Sequence, residues 1–334
     1  MDNNENILNK QILDILEKGI SDGQITILTA KDIPLIAQIT DNFTLTSNST
    51  ESSEMIFVAA PTGAGKDTLV RKITSQNPDK NYVVLNMDMF RHYYTSIDSL
   101  PDISDKNFAK ETNEISYEIY YLIEELILKY YNSTNIILTG TIKDTMWIEN
   151  ILKKYKRNNY TVSLSALAVP YTESAISIFE RYLNMVKTQL ESKSHDNSPI
   201  RYTSLDYHDE TFNAFSKSLQ YFENSLNTNP GELLDNISVF KREKSIHDLS
   251  EDTLLYSSQI PSETTATNTV TDILNSSHVV EYNRFSNLLN LIENHSDYLK
   301  SKNVYSELLE SLKKVYSKNK ETDKSVDIDE ILFE

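Results

Sequence analysis

The tightest constraint on this chain is a glycine-bearing loop between an apolar run and a helical stretch. Met55–Ala60 is a short continuous apolar run of the kind a buried strand shows, and Leu69–Ile73 continues as a helix. Between them lies Pro61-Thr62-Gly63-Ala64-Gly65-Lys66-Asp67-Thr68. The whole chain has 334 residues and 6 glycines. Average usage would give roughly 23, so two glycines within three positions mark a local backbone requirement. Strand, glycine loop, lysine and helix in that order make a phosphate cradle. Backbone N–H groups and the helix N-terminus face the anion, and Lys66 reaches the terminal phosphates. Thr62, Gly63, Ala64, Gly65, Lys66, Asp67 and Thr68 are therefore the expected nucleotide-binding residues. The strict pattern has glycine at position 60 and Ser or Thr at 67, where this chain has Ala60 and Asp67. Asp67 through its carboxylate or Thr68 through its hydroxyl is then the expected Mg²⁺ ligand. The implied nucleotide is ATP or GTP.

Composition removes several other classes of function. The formal charge of −17 argues against nucleic acid as the main ligand, since that binding needs a basic face. The absence of cysteine excludes a disulfide framework, a zinc–thiolate site and a thiol nucleophile. No apolar run reaches the ~18 residues of a membrane span, and the first residues lack a basic-then-apolar leader pattern. The expected location is the cytoplasm.

The rest of the chain alternates. The apolar runs Met55–Ala60, Tyr82–Met87, Asn135–Gly140, Val162–Val169 and Ile237–Phe240 are separated by the helical patterns Asp67–Ser75, Phe108–Tyr131, Thr145–Lys156, Ser174–Leu190 and Asp209–Leu226. This βαβ rhythm predicts an α/β fold of P-loop NTPase type, a parallel sheet with helices on both faces. Ligands then bind beyond the carboxyl ends of the strands. Residues 1–50 read as an N-terminal helical segment and 51–250 as the P-loop domain. Residues 251–277 are Ser/Thr-rich and read as a linker, and 278–334 as a mainly helical extension with an acidic tail. Trp147 reads as core. Asp88 ends the second apolar run at the ligand edge of the sheet, where an aspartate serves as a base for an acceptor hydroxyl, as a helix cap or as a metal ligand.

Several segments in order resemble the zeta toxin family of P-loop kinases, from about residue 54 to 245. Beyond the phosphate loop, they are Asn86-Met87-Asp88-Met89-Phe90-Arg91, Gly140-Thr141 followed by Lys143, Ala168-Val169-Pro170, Glu180-Arg181-Tyr182, and Arg201 with His208-Asp209 seven and eight residues on. The resemblance implies transfer of a nucleotide γ-phosphate to a sugar nucleotide, the 3′-hydroxyl of UDP-N-acetylglucosamine. It implies that Asp88 is the catalytic base, that Lys66 binds phosphate, and that Arg181 and Arg201 clamp the transferring group. Thr139, Thr141 and Glu118 are the expected acceptor contacts, with Glu114, Glu124 and Glu125 competing for the role of Glu118. Thr139 stands where the family has an acidic residue, so a different nucleotide-type acceptor such as NAD, or a non-catalytic nucleotide-gated module, remains an alternative. The family's usual partner is a small helical antitoxin.

Overall fold

In the central strand successive residues enter two different cores in alternation. The computed structural model describes residues 3–45, 53–96, 105–192, 200–242, 252–258, 264–276, 280 and 282–320. Strand β1 (Glu54–Ala59) sends Met55, Phe57 and Ala59 to one face and Ile56 and Val58 to the other. Alternation of that kind, apolar on both sides, belongs to a strand covered by helices on both faces.

β1 is flanked by β3 (Ile136–Gly140) and β4 (Thr161–Ala168), both parallel to it. With β2 (Val83–Leu85), β5 (Asn236–Arg242) and β6 (Asp252–Ser257) the order is β2-β3-β1-β4-β5-β6, and β6 alone runs antiparallel. The chain leaves β1 with neighbours on both sides, so a crevice opens at its carboxyl end, the topological switch point of such a sheet.

One face is covered by a large core. It gathers helices α1 (Asn3–Ser21) and α2 (Ile33–Thr40), α6 (Asn113–Tyr130), α7 (Thr145–Arg157), α9 (Leu205–Thr228) and α10 (Ala266–Leu274). The other face is closed by α3 (Lys66–Gln76), whose Leu69, Val70 and Ile73 pack on Val58, Ile137 and Leu167. Two short helices, α4 (Met87–Phe90) and α5 (Phe108–Glu111), lie between β2 and α6. A third cluster joins α8 (Tyr171–Glu191) to the C-terminal helices α11 (Tyr282–Asn294), α12 (Ser296–Ser301) and α13 (Tyr305–Lys320).

Composition misreads the stretch 251–277 as a linker. It contains β6, an edge strand of the sheet, and α10, whose Ala266, Val270, Ile273 and Leu274 are buried in the main core. The Glu223 carboxylate accepts hydrogen bonds from the backbone N–H groups of Ala266 and Thr267 and so anchors the start of α10. The extension is likewise packed onto α8 through Phe285, Leu288, Ile292, Leu308 and Leu312. The acidic tail lies outside the described residues, as does 193–199 of the loop before Arg201. No helix among the described residues is long and apolar enough to cross a membrane.

Candidate active site

The crevice at the carboxyl end of β1 is a cleft of about 1080 Å³. Its floor is the loop between β1 and α3. Gly63 and Gly65 have φ of 82° and 92°, in the left-handed region that side chains avoid. At Gly63 space adds a second reason: a Cβ would meet the Ser174 carbonyl oxygen of α8 at 2.1 Å. Two elements distant in sequence hold the loop. The Thr62 N–H donates to Thr211 Oγ1 of α9 at 3.3 Å, and the Arg242 guanidinium donates to the Ala64 carbonyl at 3.0 Å. Thr62, Gly63, Gly65, Lys66, Asp67 and Thr68 line the cleft, whereas Ala64 is fully buried beneath it. Sequence reasoning missed Thr211 and Arg242. Arg242's position, at the carboxyl end of β5, was the one available signal.

Four charged side chains converge above this loop. Lys66 opens α3 and donates weakly to the Ala60 carbonyl at 3.4 Å. Burial pushes its ammonium down to about 8, against the pull of Asp88 and Asp67. Arg181, from the middle of α8, donates to Thr203 Oγ1 at 3.0 Å. Its guanidinium is lowered by burial and by neighbouring Arg201. Arg201 pairs with Asp88, and its Nε is buried with no hydrogen-bond partner among the described residues. Two guanidiniums and an ammonium gathered in one cleft form a pocket that favours a polyanion.

Asp88 sits in the first turn of α4, which Asn86 caps by accepting the Asp88 N–H at 2.9 Å. Asp88 therefore does not itself cap the helix. Burial raises its carboxyl, but Arg201 and Arg91 outweigh burial and hold it at about 2. Arg91 is a splint. Its Nε donates to Asp88 at 2.8 Å, and its Nη1 donates to both the Ala109 carbonyl at 2.6 Å and Thr112 Oγ1 at 3.0 Å.

The acceptor side divides the expectations. Thr139 and Thr141 line the cleft, and the Thr139 hydroxyl is buried with no partner among the described residues. Glu118 is elsewhere. Its carboxylate accepts from the N–H groups of Thr26, Ile27 and Leu28 at 2.6, 3.0 and 2.8 Å, and from Thr26 Oγ1 at 2.9 Å. It fastens the α1–α2 connection to α6, so the acceptor role expected of it is corrected. None of its competitors lines the cleft: Glu114 accepts from Thr26, Glu124 from Tyr120 and Lys154, and Glu125 from Lys154. From α6 the cleft receives Asn113 and Tyr120 instead. Trp147 is not core either; it is 38% exposed at the cleft edge.

Ser174, His208 and Asp209 approach a hydrolase-like array, with Ser174 Oγ at 2.9 Å from His208 Nε2 and His208 Nδ1 at 3.3 Å from Asp209. Ser174 and His208 are fully buried and face no substrate, so the array ties α8 to α9 beneath the phosphate loop.

A divalent cation fits the donor set. Asp67 and Thr68 offer hard oxygens in the first turn of α3, in the same cleft as Lys66, Arg181 and Arg201. No cluster of three acidic or histidine ligands exists among the described residues. One or two protein oxygens plus nucleotide phosphates is the usual magnesium arrangement.

The zeta toxin family model matches residues 37–253, about two thirds of the chain. The chain belongs to the zeta toxin family. Its fold is that of a P-loop kinase. It is similar to the PezAT chromosomal toxin–antitoxin structure of Streptococcus pneumoniae, at 17% identity and a TM-score of 0.60, covering 80% of this chain and 98% of that one. Two AvrRxo1-ORF1:AvrRxo1-ORF2 structures, a native complex and one with ATP, are similar at 14% and 13% identity, with TM-scores of 0.48 and 0.47. They cover 93% and 92% of this chain and 82% and 84% of theirs. No curated protein matches the chain.

Proposed function

We propose that this zeta toxin family member is a phosphotransferase that moves the γ-phosphate of ATP or GTP to a hydroxyl of a sugar nucleotide, with the 3′-hydroxyl of UDP-N-acetylglucosamine the first acceptor to test. The observation that carries this reading is the convergence of Lys66, Arg181, Arg201 and Asp88 on one cleft above a glycine loop.

Phosphoryl transfer spreads negative charge over the migrating group, so catalysis is mainly positioning and charge stabilisation. The backbone of the glycine loop and Lys66 hold the β- and γ-phosphates. Arg181 and Arg201 face the equatorial oxygens, and the unpartnered Arg201 Nε leaves a donor ready for them. Mg²⁺, held by Asp67 or Thr68 with the phosphates, would supply further neutralisation.

Asp88 at about 2 is a poor base while Arg201 is paired with it. A γ-phosphate competes for Arg201. Once that pairing weakens, Asp88 regains basicity and accepts the acceptor hydroxyl proton. Nucleotide binding and base activation are thereby coupled through a single arginine.

A second reading changes only the acceptor, to another nucleotide-type molecule such as NAD. It is favoured by Thr139 at the family's acidic position and by the engagement of Glu118 with the α1–α2 connection. γ-Labelled ATP with Mg²⁺, offered UDP-N-acetylglucosamine, related sugar nucleotides and NAD, separates the two. Label on the amino sugar supports the first reading, and label on NAD alone supports the second. No labelled product from any acceptor contradicts both. A family relative's toxin–antitoxin setting supports a small helical inhibitor as partner; co-purification of an inhibitor that blocks ATP binding would test it.

A further inference from the structure

The helices beyond residue 280 lie past the end of the family match, yet they reach both elements that carry the clamping arginines, α8 directly and the segment around Arg201 through Asp105. Arg284 of α11 forms a two-point ion pair with Glu180, the residue next to Arg181, with both distances 2.7 Å. Its remaining nitrogen reaches Glu173, one face-repeat earlier on α8, at 2.5 Å. Glu173 in turn holds Arg242 at 2.6 Å, and Arg242 holds the Ala64 carbonyl of the phosphate loop. A chain of ion pairs, completed by the Arg242 hydrogen bond to Ala64, therefore joins α11 to the floor of the site.

A second chain reaches Arg201. Asp105 is fully buried, and Tyr298 of α12 donates to its Oδ2 at 3.1 Å, beside Tyr182 of α8 at 3.0 Å. The other oxygen of Asp105 accepts the Ile200 N–H at 3.1 Å, and the Asp105 carbonyl accepts the Tyr202 N–H at 3.3 Å. Asp105 thus grips the backbone on both sides of Arg201. The next residue, Thr203, accepts from Arg181. Ile200 and Tyr202 share one apolar cluster with Leu299, Val304 and Leu308 of the extension.

Charge gives the ion-pair chain a function beyond packing. Glu180 lines the cleft, so without Arg284 its carboxylate would stand unneutralised beside a pocket built for phosphate.

We propose that the C-terminal helices α11–α13 are a positioning module of the phosphate site, in which Arg284 neutralises Glu180 beside Arg181 and Tyr298 fixes Asp105 and hence Arg201. Arg284 and Tyr298 are positioning residues, because neither lines the cleft. The inference rests on the phosphotransferase reading, so its test reads Mg·ATP affinity, which needs no acceptor.

In the intact 334-residue chain, Arg284→Met weakens ATP binding about tenfold while the melting curve stays cooperative. Arg284→Lys restores part of the affinity. Arg284→Met with Glu180→Gln restores most of it, because the stray charge is gone; a purely structural role for Arg284 gives no such rescue. Tyr298→Phe, which keeps the ring, lowers ATP affinity several-fold with little change in thermal stability. Folded Arg284→Met and Tyr298→Phe proteins with wild-type affinity would overturn the inference alone. So would an Arg284→Met loss that Glu180→Gln leaves unrescued. A wild-type protein that binds no ATP would overturn the phosphotransferase reading and this inference together.

Discussion

Replacing Lys66 by Met removes the ammonium and keeps a straight side chain of similar length. Two opposite effects follow. Nucleotide affinity falls, because the terminal phosphates lose their lysine. Stability of the nucleotide-free protein rises, because burial holds the Lys66 ammonium at about 8 rather than 10.5. The gap sets an upper bound of ~3 kcal/mol at ~1.4 kcal/mol per pH unit. Lys66 is partly open to the cleft, and solvent screening reduces the gain to about 1–2 kcal/mol. The sign follows from proton linkage. The unfolded chain keeps the proton up to about 10.4, while the folded chain releases it above about 8. Below 8 the folded protein bears the full cost, and between about 8 and 10 wild-type stability climbs as the unfolded state binds more protons. Urea melts of wild type and Lys66→Met at pH 7, 8, 9 and 9.5 measure this. The variant is expected to be more stable at pH 7, with its advantage shrinking at each step above 8. A variant less stable than wild type at pH 7, or an advantage constant with pH, would refute the reasoning.

Two further substitutions separate the site from its supports. Glu118→Ala strands three backbone N–H groups of the α1–α2 connection and is expected to cost ~3 kcal/mol in a denaturant melt. It should leave ATP affinity within twofold, whereas a loss of acceptor affinity alone would return Glu118 to the site. Gly63→Ala combines a left-handed backbone with a 2.1 Å approach to the Ser174 carbonyl, and should cost at least ~2 kcal/mol and abolish ATP binding. Calorimetric titration with ATP, alongside a thermal melt, checks both effects.

The phosphate loop was legible in sequence because its determinants are local: two glycines, a lysine and flanking periodicity within about fifteen residues. Asp88 was legible for a related reason, since it follows an apolar run at the sheet's carboxyl edge, although the strand itself stops at Leu85 and Asp88 belongs to the first turn of α4. Arg181 and Arg201 needed the family resemblance, because two arginines twenty residues apart say nothing about meeting. Glu118 was misassigned because its partners lie about ninety residues upstream, and a glutamate on a helix looks alike whether it binds substrate or clamps a loop. The 251–277 stretch misled through composition. Its serines and threonines hide Ala266, Val270, Ile273 and Leu274, which share one helix face that only the tertiary core explains. The extension looked separable because its partners, Glu173, Glu180 and Asp105, are all more than a hundred residues away from Arg284 and Tyr298.

The account stands most directly on Asp88, the group asked to do chemistry rather than binding. Its test is Asp88→Asn, which keeps the size and removes the base. Rates of γ-phosphate transfer to the acceptor that wild type uses, together with ATP affinity, are measured on the same preparation. The account predicts a loss of kcat of at least 10²–10³-fold, in the range of a lost general base. ATP affinity should be unchanged or tighter, since Arg201 is freed from its carboxylate partner. A variant with near-normal kcat, or one whose loss lies in weakened ATP binding, would contradict Asp88 as the base and the cleft geometry as its explanation.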